Sequence, residues 1–212
     1  MADFRLPAAC ISLAGVTLFY LLFQQKQYQK GSNRKLALFY KCLATCFAAC
    51  LGLFGAVLSP SLPHILLVIG LFTGAAADVV LGKKFIPGMG VFAVGHLFYC
   101  IACLLSAPPT FVSLILFLLL MIATLILYPH LKKAAGKRPL LPFIAYGVLL
   151  FLTLSLSAAQ EPLLLSGMIL FVASDCMLGF RIFTENRSKF LDYFCLACYY
   201  FGQFLIGASI VF

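Results

Sequence analysis

The chain has 212 residues, of which 64% are hydrophobic and only 10% are charged. Soluble domains carry about 25% charged residues, and one of this size cannot bury so large an apolar fraction because surface area grows too slowly with mass. The composition therefore excludes a soluble globular domain, a disordered chain and a disulfide scaffold. It indicates an all-α protein that crosses a membrane several times.

Eight stretches are long and apolar enough to span a bilayer, which takes about 20 helical residues. In chain order they cover roughly 7–23, 36–57, 64–82, 89–106, 110–128, 140–158, 163–181 and 190–211. Proline marks several of the predicted connections, as at Ser59-Pro60, Pro87-Gly88 and Glu161-Pro162. The sequence thus predicts a single integral membrane domain over residues 1–212, with eight transmembrane helices.

The basic residues indicate how these helices are oriented. Thirteen of the 15 Lys and Arg residues fall in the first, third, fifth and seventh connections, and the second, fourth and sixth hold none. By the positive-inside rule the odd connections are cytosolic and both termini are lumenal. The net charge of +9 therefore reports topology rather than a nucleic-acid partner. The sequon Asn186-Arg187-Ser188 lies in a cytosolic connection and is predicted to stay unglycosylated.

Two of the six acidic residues, Asp78 and Asp175, lie inside apolar stretches. An ionised carboxylate in hydrocarbon costs several kcal/mol, so each must face the bundle interior, find a partner or take up a proton. They are therefore either functional or structural hydrogen-bonding groups between helices. The other four lie near predicted helix ends and are expected to be solvated; they are Asp3, Glu161, Glu185 and Asp192.

The two membrane aspartates stand in similar surroundings. Each begins an Asp-x-x-Leu-Gly segment, one in the third and one in the seventh predicted helix. The helices that follow carry Phe92-x-x-Gly95-His96 and Tyr199-x-x-Gly202-Gln203. Helices 1–4 and 5–8 are therefore interpreted as parallel repeats, which would bring the aspartates together at one depth.

Helical spacing places further polar groups near the aspartates. His96 and Tyr99 share one helix face, and Tyr199 and Gln203 share another. A single buried histidine is more often a core residue, but the position of His96 one helix after Asp78 favours a functional role. Lys41, about a turn and a half inside the second helix, either extends to the headgroups or supplies a counter-charge for a carboxylate or a lipid phosphate.

The nine cysteines all lie in apolar stretches, where thiols behave as small apolar residues. Two pairs, Cys100-x-x-Cys103 and Cys195-x-x-Cys198, have the spacing of zinc ligands, but no His or acidic cluster accompanies them. We therefore predict neither a metal nor a cofactor. A zinc-dependent lipid hydrolase is disfavoured because the three histidines are scattered.

Six short motifs occur in a characteristic order and spacing. They are Lys41-Cys42-Leu43, Ala77-Asp78-x-x-Leu81, Phe85-Ile86-Pro87-Gly88-Met89, Phe92-Ala93-x-x-His96-x-x-Tyr99, Ser174-Asp175-x-x-Leu178 and Tyr199-Tyr200-x-x-Gln203-x-Leu205-Ile206. Together they resemble the lysoplasmalogenase family, the YhhN-like membrane proteins that include transmembrane protein 86. The resemblance implies an eight-helix enzyme of the endoplasmic reticulum that hydrolyses the vinyl ether of lysoplasmalogens. The implied products are a fatty aldehyde and glycerophosphocholine or glycerophosphoethanolamine, and Asp78 and Asp175 are the implied catalytic pair.

Vinyl ether hydrolysis fits two carboxyl groups in one apolar pocket. The reaction needs an acid that protonates carbon, an anion beside the resulting oxocarbenium ion, and a base that activates water. One aspartate can be the acid and the other the carboxylate, much as in glycoside hydrolysis. We prefer Asp175 as the acid and Asp78 as the base near His96. The candidate residues for the lipid phosphate are Lys83, Lys84, Arg181 and Lys41, and those that could orient the aspartates or the water are His96, Tyr99, Tyr199 and Gln203. Ser174 and Tyr200 are further candidate supporting residues.

Two other classes of protein remain as alternatives. A proton-coupled lipid or solute transporter also uses paired membrane carboxylates, but the short, nearly uncharged lumenal connections disfavour it. A membrane scaffold would use the aspartates only in helix packing. The predicted partners are the lysophospholipid substrate and membrane lipid; the sequence leaves open whether the protein forms a homo-oligomer.

Overall fold

A computed structural model describes residues 4–29, 31, 33–136, 139–185 and 188–212. Within these ranges the chain forms eight α-helices and no strand. They are α1 (Arg5–Tyr28), α2 (Arg34–Leu58), α3 (Leu62–Leu81), α4 (Phe85–Ser106), α5 (Phe111–Ala135), α6 (Leu141–Ser157), α7 (Pro162–Thr184) and α8 (Lys189–Ala208). Seven are long and apolar enough to cross a membrane, and α6 is a shorter apolar helix of 17 residues. The predicted fold class, an all-α polytopic membrane protein, is confirmed.

Several helices extend beyond the spans predicted from apolarity. The first helix continues past residue 23 to Tyr28, and α5 continues past residue 128 to Ala135, through Pro129. The sequence predicts Pro87 in a connection. In the structure the fourth helix begins at Phe85, so Pro87 lies in its first turn. Proline is tolerated there because the first N–H groups of a helix have no intrahelical partner. Helices therefore continue where the apolar pattern has already given way to polar residues.

Polar side chains fix the starts of several helices. The Asn33 side chain accepts hydrogen bonds from the backbone of Lys35 and Leu36 at the start of α2. Ser61 caps α3 in the same way, and Thr110 forms a capping box with Ser113 at the start of α5. Each cap satisfies backbone donors that the helix leaves free, so the connections hold the helix ends at defined positions.

The two halves of the chain pack alike. The third helix packs on α4 as α7 packs on α8, and α2 contacts α8 as α6 contacts α4. Two glycines that precede the aspartates by the same spacing make equivalent contacts. A Cβ atom on Gly95 would lie 3.3 Å from the carbonyl oxygen of Gly70, and one on Gly202 would lie 2.9 Å from that of Gly167. These matched contacts support the parallel repeat.

The core and the surface of the bundle are clearly divided among the helices. The second helix contributes Ala44, Ala48 and Ala49, all fully buried, to the central core. In contrast, α5 buries only Ser113 and Ala135 among its residues. This pattern is expected of a helix that faces lipid, because an apolar surface is favourable there. All nine cysteines are free.

Candidate active site

The Asp78 carboxylate lies in the last turn of α3, at the end of the bundle where the basic connections lie, and is 1% exposed. Its Oδ1 atom is 2.9 Å from Lys41 Nζ on α2. Its Oδ2 atom accepts hydrogen bonds from Thr45 Oγ1 at 2.6 Å and from Tyr199 OH at 2.9 Å. Of the two interpretations of Lys41, the structure therefore shows a counter-charge for a carboxylate.

The Asp175 carboxylate, on α7, has a different environment. Tyr146 OH on α6 donates a hydrogen bond to its Oδ2 atom at 2.5 Å. Among the described residues, the structure shows no ion pair for Asp175 comparable with that of Lys41 and Asp78. The two aspartates thus differ in charge compensation although they stand at equivalent positions of the repeat.

Both aspartates line one cavity of about 150 Å³, whose wall also includes the ion-paired Asp192 and Arg181. Lys41 and Tyr199 lie on its wall beside Asp78, and Ser174 lies there beside Asp175. Phe92, Leu81 and Leu178 make much of the remaining wall apolar. The structure therefore brings two carboxyl groups that are distant in sequence into a small, largely apolar space.

Asp192, expected to be solvated, is buried with only 4% of its surface exposed. It forms an ion pair with Arg181 and accepts hydrogen bonds from Gln27 Nε2 at 2.7 Å and Tyr28 OH at 2.6 Å. The expectation failed because α1 extends to Tyr28, so its last turn covers the start of α8. Glu161 and Glu185 are exposed as expected, and Asp3 lies outside the described residues.

A larger vestibule of about 630 Å³ adjoins the aspartate cavity at the basic end of the bundle. Phe23, Gln27 and Lys41 line both spaces, so the two are contiguous. Lys26 and Arg34 add two more cations to the vestibule wall. Arg34 also donates to the carbonyl oxygen of Gly82 at 2.5 Å, which places its guanidinium beside the end of α3.

Arg181 and Lys83, two basic residues predicted to hold the lipid phosphate, do not line the vestibule. The Arg181 guanidinium lines the aspartate cavity, but it is ion-paired with Asp192. Lys83 is exposed and lines neither the vestibule nor the aspartate cavity. Besides Lys41, the cations on the vestibule wall are instead Arg34 and Lys26, which donates to Gln29 Oε1 at 3.0 Å.

His96 is buried, but its hydrogen bond is not to an aspartate. Its Nδ1 atom is 3.2 Å from Thr153 Oγ1, and its ring packs edge-on against Phe171 and Tyr146. The preference that placed His96 beside Asp78 is therefore not supported. Through Tyr146, His96 is linked instead to the surroundings of Asp175.

The remaining predicted polar residues lie in the buried interior. Tyr99, Tyr200 and Gln203 are each 1% exposed, and their polar side-chain atoms have no hydrogen-bond partner within the described protein. Glycines make room for two of them. A Cβ atom on Gly70 would lie 2.3 Å from the Tyr99 ring, and one on Gly74 would lie 3.1 Å from Gln203 Nε2.

Sequence reasoning missed two residues that contact the aspartates. Thr45 could have been found because it follows Lys41 by four residues and so lies on the same helix face. Tyr146 could have been found from the repeat, because α6 is the counterpart of α2. The signal in the sequence is its hydroxyl, which is the only polar side-chain group in the first half of α6.

One cysteine of each Cys-x-x-Cys pair contacts a backbone carbonyl or a hydroxyl group. Cys195 Sγ donates to the carbonyl oxygen of Ser174 at 3.2 Å, and Cys100 Sγ is 3.1 Å from Thr153 Oγ1. Across the part of the chain that the structure describes, no group of three or more His, Cys, Asp or Glu side chains is arranged to hold a metal ion. The geometry thus offers no ligand set for the zinc alternative.

The fold and these side chains define a class of protein: a helical polytopic membrane protein in which Asp78 and Asp175 share a cavity near the basic connections. The YhhN family model matches residues 36–210. The chain therefore belongs to the YhhN family, the family that includes lysoplasmalogenases. Searches of curated proteins and of solved structures found no match. The resemblance noted in the sequence is confirmed at the level of the family.

Proposed function

We propose that the protein is a lysoplasmalogenase, which hydrolyses the sn-1 vinyl ether bond of lysoplasmalogens. The products are a fatty aldehyde and glycerophosphocholine or glycerophosphoethanolamine. Family membership supports this activity. The single observation that carries it is that Asp78 and Asp175, with different partners, line one largely apolar cavity.

The different partners suggest different roles for the two carboxyl groups. Lys41, Thr45 and Tyr199 provide one cation and two hydroxyl donors for Asp78, which suits a carboxylate. Asp175 accepts from one hydroxyl, against one cation and two hydroxyls for Asp78, and its neighbours in a third, smaller cavity are mostly apolar. The weaker charge compensation and the apolar neighbours suit a carboxyl group that carries a proton. We therefore assign Asp175 as the general acid and Asp78 as the stabilising carboxylate and base.

The proposed reaction begins when Asp175 transfers its proton to the vinyl carbon β to the ether oxygen. The C=C electron pair forms the new C–H bond, and the adjacent carbon and oxygen become an oxocarbenium ion. The Asp78 carboxylate stabilises this cation and accepts a proton from the attacking water. When the hemiacetal collapses, Asp78 returns that proton to the glycerol oxygen as its C–O bond breaks, and the hemiacetal O–H proton passes to Asp175. The aldehyde and the glycerol hydroxyl are thus formed, and both aspartates return to their starting protonation states.

The vestibule suits the polar part of such a lipid. A phosphodiester carries one negative charge, and Lys26 and Arg34 line the vestibule above the aspartate cavity. A headgroup there would place the sn-1 linkage, a few bonds away, at the aspartates. Because Lys83 lines neither space, we assign the phosphate contact to Lys26 and Arg34 in its place.

We also propose that the protein resides in the endoplasmic reticulum with both termini in the lumen. The basic odd-numbered connections then face the cytosol, and the cavities open toward the cytosolic leaflet. Asn186 lies outside the described residues. An acceptor sequon appended after Phe212 should be glycosylated while Asn186 is not; a glycan on Asn186 alone would show the opposite orientation.

The decisive assay uses the purified protein in detergent with a lysoplasmalogen and its saturated alkyl-ether analogue. We expect aldehyde release from the vinyl ether only, with a loss of about 100-fold or more in Asp78→Asn and in Asp175→Asn. Glu161→Gln is the matched control, because Glu161 is exposed and lines none of the cavities. Full turnover by both aspartate variants would refute the mechanism, and no aldehyde from the unmodified protein would refute the activity.

A further inference from the structure

A third space, a slot of about 40 Å³, opens from the aspartate cavity toward the bundle surface between α4, α6 and α7. Asp175, Phe92, Leu81 and Leu178 line both the slot and the aspartate cavity. The slot continues outward past Tyr146 to residues that are partly exposed on the bundle surface, namely Phe85, Phe143 and Gly179. It therefore connects Asp175 with partly exposed residues near the starts of α4 and α6 and the end of α7.

The slot and the vestibule have opposite characters. Apart from Asp175 and its partner Tyr146, the slot is lined by apolar and aromatic residues and glycine, with Phe85 and Phe143 stacked at 5.6 Å between ring centroids. The vestibule, which shares Leu81, Phe85 and Leu178 with the slot, carries Lys26 and Arg34. The aspartate cavity thus adjoins one space with cations on its wall and one apolar space. A single-chain ether lipid likewise has a phosphate on one side of its ether linkage and hydrocarbon on the other.

We propose that the slot binds the first methylene groups of the lipid's hydrocarbon chain, and that Gly179 keeps this path open. The inference, which rests on the proposed function, adds the chain-binding subsite and a residue that sets chain access. The small volume holds only the segment next to the vinyl ether, and the rest of the chain lies among bilayer lipids. Bound in this way, the lipid presents its vinyl carbon to Asp175, which forms the inner wall of the slot.

Gly179 allows a sharp test because the surrounding space is empty. A Cβ atom built on it meets no other heavy atom within 4 Å. Gly179→Leu therefore places a large side chain on the outer wall of the slot without a backbone clash, and leucine also favours the helix over glycine. Gly90→Leu on α4 is the matched control. Gly90 is equally unobstructed, but it is exposed and lines none of the three spaces.

The activity test compares two vinyl ethers of glycerophosphocholine. One carries a 16-carbon alkenyl chain, and the other carries a bare ethenyl group, which has the reacting bond but no methylene groups. We expect Gly179→Leu to lower kcat/KM for the long chain by about tenfold or more, as hydrophobic pockets discriminate by chain size. Turnover of the ethenyl compound should stay within about twofold, and Gly90→Leu should change neither. Equal loss on both substrates, or no loss on either, would overturn the subsite.

A labelling test separates this inference from the proposed activity. A saturated 1-O-alkyl lysophosphocholine with a diazirine near the ether oxygen cannot be hydrolysed as a vinyl ether. After irradiation of the intact protein, we expect label on Phe143 or Met89, reduced in Gly179→Leu and retained in Gly90→Leu. This result would support the chain site even if no aldehyde were released. Label confined to the lipid-exposed face of α5 would overturn it.

Discussion

Lys41 Nζ lies 2.9 Å from Asp78 Oδ1, whereas the equivalent aspartate of the second half, Asp175, is hydrogen-bonded to the hydroxyl of Tyr146. The aspartates occupy matched positions on α3 and α7, but the helices that face them supply different groups. The second helix supplies an ammonium group and α6 supplies a phenol. One of the two carboxyl groups therefore has a charged partner and the other a neutral one.

We predict that Lys41→Met destabilises the protein by about 3 kcal/mol, because it leaves a buried carboxylate without its counter-charge. Asp78 is 1% exposed and the Lys41 side chain 11%, so water compensates little of the loss. The free energy of unfolding in detergent measures the effect. Lys84→Met is the control, since Lys84 is exposed at the end of the same bundle and should be nearly neutral.

Adding Asp78→Asn to Lys41→Met should restore much of the stability, because the buried charge itself is then removed. The double variant should remain inactive toward the vinyl ether. If the changes in the free energy of unfolding of the two single variants simply add in the double variant, Lys41 and Asp78 do not act as a pair.

Tyr146→Phe should lower kcat for the vinyl ether by about tenfold, the equivalent of one strong hydrogen bond, while KM stays the same. The reason is that Tyr146 contacts Asp175 and not the polar vestibule, so its loss changes the orientation of the acid. Tyr128→Phe on the exposed surface of α5 serves as the control. A rise in KM at unchanged kcat would instead assign Tyr146 to lipid binding.

The sequence predicted the membrane fold well, because apolar length and basic flanks are properties of single segments. All eight helices occur where the apolar runs lie, and the motifs around Asp78 and Asp175 pointed to the residues that share the cavity. The matched glycine contacts also follow from a pattern visible in the chain. The position of each helix and the candidate functional residues within it can therefore be predicted from the sequence.

The partners of polar residues were harder to predict, because they depend on which helix faces which. The extra turn of α1 that ends at Tyr28 buries Asp192, and nothing in the local sequence of α8 indicates that. The hydrogen bond between His96 and Thr153 likewise joins α4 to α6, a contact that helical spacing within α4 does not reveal. The order of the helices around the core supplies this information.

Asp192→Asn should lower the unfolding temperature in detergent, because Arg181 would lose its ion-pair partner in a largely buried position. Since the Arg181 side chain is 21% exposed, we expect a cost of about 1–3 kcal/mol, below that of a fully buried pair. Replacing both residues with apolar ones of similar size should recover part of this loss. Unchanged stability of Asp192→Asn would show that α1, α7 and α8 are held together without this cluster.

The glycine contacts between paired helices predict which Gly→Ala substitution lowers the stability more. A Cβ atom on Gly167 would lie 2.9 Å from the Gly202 carbonyl oxygen, and one on Gly95 would lie 3.3 Å from that of Gly70. Gly167→Ala should therefore push α7 from α8 and cost about 1–3 kcal/mol, whereas Gly95→Ala should cost less. Gly147→Ala, at a position with no neighbour within 4 Å, should be neutral or stabilising. Because α7 carries Asp175 and α8 carries Tyr199, the Gly167 variant should also lose turnover at temperatures where it remains folded. The opposite ranking of Gly167→Ala and Gly95→Ala, measured by thermal unfolding, would mean that the distance from the added methyl group to the facing carbonyl oxygen does not set the cost.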